Sequence, residues 1–153
     1  MVRAGVPELR PMTLQYWASH VCHGGVVKVE QVFANTSASI RQARRFVAEA
    51  IADRAPAMCD SVVLMVSELA TNSVRHADTE FRVAVAVTRR LIRVEVTDAG
   101  SGVPTRRSAA PSDLSGRGLA IVEKLASDWG VRRRRAGGKT VWFTVPVARY
   151  RMS

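Results

Sequence analysis

Between residues 81 and 97 the chain repeats with a period of two and reverses once. Phe81, Val83, Val85 and Val87 occupy every second position, Arg89 and Arg90 interrupt the run, and an apolar-rich segment resumes from Leu91 to Thr97. Successive strand residues point to opposite faces, so this spacing predicts two strands, Phe81 to Thr88 and Leu91 to Thr97, joined as a hairpin with Arg89 and Arg90 in the turn. One face of that hairpin is apolar and must be covered.

The cover is predicted upstream. Ile40, Ala43, Phe46, Val47 and Ala50 recur at helical spacing, Asn35, Thr36 and Ser37 offer N-caps, and Pro56 closes the segment, which places a helix from about Ser39 to Asp53. A second helix is expected from about Met58 to His76, and the β-branched run Val26 to Phe33 reads as a strand. Downstream, Ala99 to Ser115 is rich in Gly, Pro, Ser and Ala and reads as a mobile loop. A third helix then starts near Gly116 and runs to about Ser127. Trp129 to Arg135 and Thr140 to Val147 form a last hairpin around Ala136, Gly137 and Gly138. The sum is an α+β protein, a two-layer sandwich of a mostly antiparallel sheet with helices on one face.

A length of 153 residues suits one domain, and 47% hydrophobic with 24% charged residues is the composition of a chain that folds. Residues 1–30 mix Pro7, Pro11, Gly24 and Gly25 with Tyr16 and Trp17 and read as an N-terminal extension or edge strand; 31–148 form the domain and 149–153 a tail. No apolar run reaches the roughly 20 residues that cross a bilayer, no signal peptide opens the chain, and Cys22 and Cys59 could form one bridge at most. A cytoplasmic protein with reduced thiols is expected. His20, Cys22 and His23 crowd three ligand types too closely for the usual paired zinc spacing, and no second cluster follows, so a metal site is not expected there.

The charge is unusual, at +10. Its arginines, Arg41, Arg44 and Arg45, then Arg89 and Arg90, then Arg132 to Arg135, are spread along the chain without interleaved aromatics or a nucleic-acid motif. They read as a solvated or partner-facing basic surface, and direct nucleic-acid binding is not expected.

Three short segments carry chemistry. In SELATNSVRHA, from Ser67 to Ala77, Glu68 and Asn72 lie about 40° apart on the helix, beside a packing stripe of Val62, Val66, Leu69 and Ser73. Glu68 offers a carboxylate base and Asn72 a neutral oxygen for Mg²⁺, although an amphipathic helix with solvated polar residues would look the same. In VEVTDAGSGVP, from Val94 to Pro104, a strand delivers Asp98 to a glycine turn. A carboxylate there can accept from an exocyclic amine, and Gly100 and Gly102 let backbone approach a flat ring, or the segment is a solvent turn. In SGRGLAIVEKLA, from Ser115 to Ala126, two glycines precede a helix whose N-terminal N–H groups, with Arg117, suit a phosphate; the alternative is a plain helix start.

In that order and spacing the three segments, with the terminal GGKTVWFTVPV, resemble the GHKL superfamily of ATP-binding proteins, and within it the anti-sigma factor serine/threonine kinases of the bacterial stress or sporulation type. The resemblance spans roughly Val29 to Val147. It implies a GHKL-type two-layer sandwich that binds ATP and Mg²⁺, passes the γ-phosphoryl to a Ser or Thr of an anti-anti-sigma partner, and sequesters a sigma factor. Related kinases form homodimers, an assembly the resemblance carries with it. Position by position it implies Glu68 as the catalytic base, Asn72 as the Mg²⁺ ligand, Asp98 as acceptor of the adenine amine, and Gly100 and Gly102 as the adenine pocket. Gly116, Arg117, Gly118 and Leu119 would surround the phosphates, and Thr140 would support the adenine end. The chain departs from the family in having Ser73 where Ala is usual after the metal-binding Asn, a change expected only to pack. Val103 to Ser115, 13 residues, resembles the short lids of this branch. A non-catalytic ATP-dependent regulatory module is the alternative reading of the same motifs.

Overall fold

The computed structural model describes residues 16–17, 26–100 and 114–147. It contains one six-stranded sheet and three helices. The strands are β1 (Tyr16–Trp17), β2 (Val27–Phe33), β3 (Phe81–Val87), β4 (Leu91–Asp98), β5 (Asp128–Arg133) and β6 (Lys139–Pro146). The helices are α1 (Ser37–Ile51), α2 (Cys59–His76), which follows a single 3₁₀ turn at Pro56–Met58, and α3 (Leu114–Leu125). The sheet order is β1-β2-β3-β4-β6-β5, every described pairing is antiparallel, and the helices pack on one face.

The alternation that predicts the central hairpin sets the core. Phe81, Val83, Val85 and Val87 are buried, their register partners Val96, Val94 and Ile92 are buried opposite Val83, Val85 and Val87, and Val141, Phe143 and Val145 continue the same face on β6. Ala43, Phe46, Val47 and Ile51 of α1, Val62, Met65, Val66 and Leu69 of α2, and Leu119 and Val122 of α3 close over it. Phe33 and Phe81, paired across β2 and β3, stack with centroids 5.3 Å apart, and Phe46 meets Phe33 edge-on at 5.9 Å. The turn after β3 is fixed by Thr88, whose hydroxyl oxygen accepts from the Arg90 and Leu91 N–H groups at 3.2 and 2.9 Å. Thr88, more than the two arginines, makes the reversal.

Two boundaries shift in ways that bear on the site. Helix α3 begins at Leu114 rather than at Gly116, so both glycines lie inside it. The roughly 1 kcal/mol that each glycine costs a helix is offset by burial of Leu119 and Val122 one turn further on. Strand β6 begins at Lys139 rather than at Thr140, which brings Lys139 into register opposite Asp98.

The turn between β5 and β6 holds that register. Gly138 has φ +88°, and a Cβ on it would collide with the Asp98 carbonyl oxygen and come within 2.6 Å of the Ala99 Cα. Gly137 has φ +93° with nothing within 4 Å of its Cβ position. The pair separates backbone strain from collision: Gly137→Ala should cost about 1–2 kcal/mol, and Gly138→Ala about 3 kcal/mol or more. Urea unfolding midpoints at unchanged slope would check this, and equal costs at the two positions would refute the collision.

Candidate nucleotide site

Helix α2 is the spine of the site, and two of its edges carry separate parts. Glu68 and Asn72, one turn apart, face α3, where Gly118 is buried. A Cβ on Gly118 would lie 3.3 Å from Asn72 Nδ2, from Glu68 Cβ and from Glu68 Oε2. The second glycine of the SGRG segment therefore lets α3 pass close over the polar edge of α2, so the first and third motifs meet. Since α3 starts at Leu114, Gly118 is past the first turn, where N–H groups bond carbonyls four residues back. The free N–H groups of the helix start are those around Leu114 to Arg117, so Gly116 and Arg117 lie in the turn that can meet an anion and Gly118 serves the packing. Leu119 is a core residue at 1% exposure.

Asn72 has a property its neighbours lack. Both its side-chain nitrogen and its side-chain oxygen are buried, and neither finds a hydrogen-bond partner among the described residues. A buried amide without partners costs on the order of 1–3 kcal/mol, so this side chain has the signature of a group held for something that binds. Its oxygen fits a hard cation such as Mg²⁺, which takes one or two protein ligands and completes its shell with water and phosphate. No group of three His, Cys, Asp or Glu residues able to hold a metal alone occurs among the described residues. His76, one turn further along α2, is exposed.

The other edge of α2 meets the end of β4. Asp98 is 4% exposed and continues the inward stripe of Ile92, Val94 and Val96 at the point where the stripe turns polar. Its Oδ2 accepts from the Ser73 hydroxyl at 2.9 Å, and its Oδ1 accepts from the Gly100 N–H at 3.0 Å and from Lys139 Nζ at 3.2 Å. Ser73, the departure expected only to fill space, thus orients the carboxylate. Gly100 is buried against Ala77, the residue that caps α2. Gly102 and residues 103–113 of the expected lid lie outside the described residues, as do His20, Cys22 and His23, while the lid's last two residues, Leu114 and Ser115, open α3.

Thr140, which the resemblance puts at the adenine end, does not share a face with Asp98, whereas Lys139 does. Thr140 pairs with Thr97, one residue before Asp98, so its side chain is on the opposite face of the sheet, with its hydroxyl 2.8 Å from that of Thr97. Lys139 is the β6 residue that shares a face with Asp98. Stepping back by twos from Val145 through Phe143 and Val141 lands on Lys139, so the alternation contained this signal.

The geometry therefore gathers the Glu68 carboxylate and the Asn72 amide, which has no partner among the described residues, beneath Gly118 of α3, and a buried, oriented second carboxylate, Asp98, against the adjoining edge of the same part of α2. A sequence profile for the histidine kinase-like ATPase domain matches residues 33–145, most of the chain and all three motifs. A comparison with curated protein sequences finds no match. Among solved structures, the chain is similar to the histidine kinase domain of the blue-light activated histidine kinase of Erythrobacter litoralis EL346, at 27% identity and a TM-score of 0.41, covering 59% of this chain and 45% of that one. It is also similar to the Acinetobacter baumannii histidine kinase AdeS, at 14% identity and a TM-score of 0.44, covering 78% of this chain and 66% of that one. It thus spans less than two thirds of the length of either. With the profile covering α1, α2, α3 and the strands β3 to β6 almost to their end, the chain belongs to the histidine kinase-like ATPase domain family, the GHKL-type ATP-binding fold.

Proposed function

We propose that the chain is an ATP-dependent serine/threonine kinase of the anti-sigma type, which phosphorylates an anti-anti-sigma antagonist and sequesters a sigma factor. The observation that carries the reading is the Asn72 amide, buried beneath Gly118 beside Glu68 with no hydrogen-bond partner among the described residues. In this reading Asp98 holds the base, Asn72 holds Mg²⁺ against the phosphates, the first turn of α3 with Gly116 and Arg117 meets the phosphate oxygens, and Glu68 accepts the proton of the attacking hydroxyl. Bound Mg²⁺ would supply charge neutralisation at the phosphates. Phosphoryl transfer depends on positioning, and both polar residues come from one rigid helix.

Arg132, Arg133, Arg134 and Arg135 are exposed at the β5–β6 end of the sheet and suit an acidic partner surface. No described helix is long and apolar enough to cross a membrane. The test incubates the purified protein with γ-labelled ATP, Mg²⁺ and small antagonist domains. Label should appear on a Ser or Thr of one antagonist. Nucleotide binding without transfer to any of them would support the non-catalytic regulatory module instead, and absence of nucleotide binding at millimolar ATP would end both readings.

A further inference from the structure

Lys139 has no part in that reading, yet it is the β6 residue in register with Asp98 and hydrogen-bonded to its carboxylate. Its side chain is 10% exposed, and Asp98 is its hydrogen-bond partner among the described residues, at 3.2 Å. It is fixed there by register, opposite Asp98 at the start of β6, with Gly138 pressed against the Asp98 backbone.

The hydrogen-bond capacity of the pair is countable. A carboxylate has about four lone-pair sites, and Asp98 spends three, on Gly100, Lys139 and Ser73. An ammonium has three donors, and one is spent on Asp98. Among the described residues, what remains at the end of the site is one acceptor position beside unspent donors. A base edge complementary to that set presents one donor next to one acceptor. Adenine does so with its 6-amino group and the adjoining ring nitrogen. A 6-oxopurine does so in reverse order, with its N1–H and its 6-oxygen. Facing a carboxylate alone, the 6-oxygen would meet lone pairs and be rejected; facing the ammonium as well, it has a donor.

Resting on the nucleotide-binding reading above, we propose that Lys139 is a specificity-determining residue that reads the acceptor atom of the base, so that the site holds 6-oxopurine nucleotides as well as 6-aminopurine ones. Ser73 and Gly100 orient Asp98 for the donor, and Lys139 supplies the complementary half.

Calorimetric titration of wild type, Lys139→Met and Lys139→Arg with MgATP and MgITP tests this, because the two nucleotides differ only around purine position 6. Wild type should bind ITP within about tenfold of ATP, whereas Lys139→Met should weaken ITP about tenfold more than ATP, because both bases lose the ammonium's hydrogen bond but only the 6-oxygen is then left against carboxylate lone pairs, a further penalty of about 1.4 kcal/mol. Lys139→Arg, which keeps a donor, should recover much of the ITP affinity. A role confined to stabilising the fold would weaken both nucleotides alike, so an ITP-to-ATP ratio unchanged in Lys139→Met would overturn the proposal. ATP binding by wild type with no ITP binding would also overturn it, with no variant needed. If wild type binds neither nucleotide, the underlying nucleotide reading falls and takes this one with it.

Discussion

Glu68→Gln is expected to lower phosphoryl transfer to the antagonist by about a hundredfold or more while leaving MgATP affinity within about threefold of wild type. The substitution keeps the side chain's shape, so α3 can still pass at Gly118, whose Cβ position is 3.3 Å from Glu68 Oε2. What it removes is the capacity to take a proton. Asn72→Ala should behave differently, weakening nucleotide affinity and transfer together, because the Mg²⁺ that aligns the phosphates loses its protein ligand. In the nucleotide-free protein the same variant should be neutral or slightly stabilising, since it deletes two buried polar atoms that lack partners among the described residues. A side chain that costs stability when the site is empty and confers affinity when it is filled is the pattern of a binding residue. Transfer assays, calorimetric titration and thermal melts on the same three proteins separate these effects. Full transfer by Glu68→Gln would remove Glu68 from the catalytic role.

The layers of the fold were legible because its core follows two simple periods. Phe81 to Val87 and Leu91 to Thr97 alternate, Ala43, Phe46 and Val47 repeat at helical spacing, and the structure buries those residues. Boundaries were less legible where local and tertiary preferences disagree. Gly116 and Gly118 argue for a helix that starts late, while the buried Leu119 and Val122 draw α3 into a longer helix that includes both glycines. At the site, the sequence places Glu68 and Asn72 on one helical edge but says nothing of partners, so Asn72's isolation is visible only in three dimensions. The part Ser73 and Lys139 play at Asp98 was not legible, Ser73 reading only as packing, because it is a hydrogen bond to one carboxylate across 25 and 41 residues of chain. Long-range pairing of this kind is fixed by register, and a slip of one residue would put Thr140 beside Asp98 instead.

Asp98 is the residue whose loss should be felt most widely, because folding and binding both pass through it. Asp98→Ala would strand the Lys139 ammonium, the Ser73 hydroxyl and the Gly100 N–H in a site where Asp98 is 4% and Lys139 8% exposed. Removing one member of a buried ion pair costs about 3–5 kcal/mol, a large part of the roughly 5–15 kcal/mol that stabilises a domain of this size. Asp98→Asn is the milder change: it keeps an acceptor oxygen for Ser73 or Gly100 but turns an amide toward a base amine that needs a lone pair, so the nucleotide-induced rise in melting temperature should be lost. Stability should fall as well, because Lys139 keeps its charge without its counter-ion. Combining Asp98→Asn with Lys139→Met removes the stranded charge, and an apolar side chain of similar length suits the end of the Val141–Phe143–Val145 stripe. The double variant should therefore recover most of the stability lost in Asp98→Asn and none of the nucleotide response. Urea midpoints and melts with and without MgATP read the two quantities independently. A double variant no more stable than Asp98→Asn would show that the two side chains are not energetically coupled. A wild-type nucleotide response in the double variant would show that the base is held elsewhere.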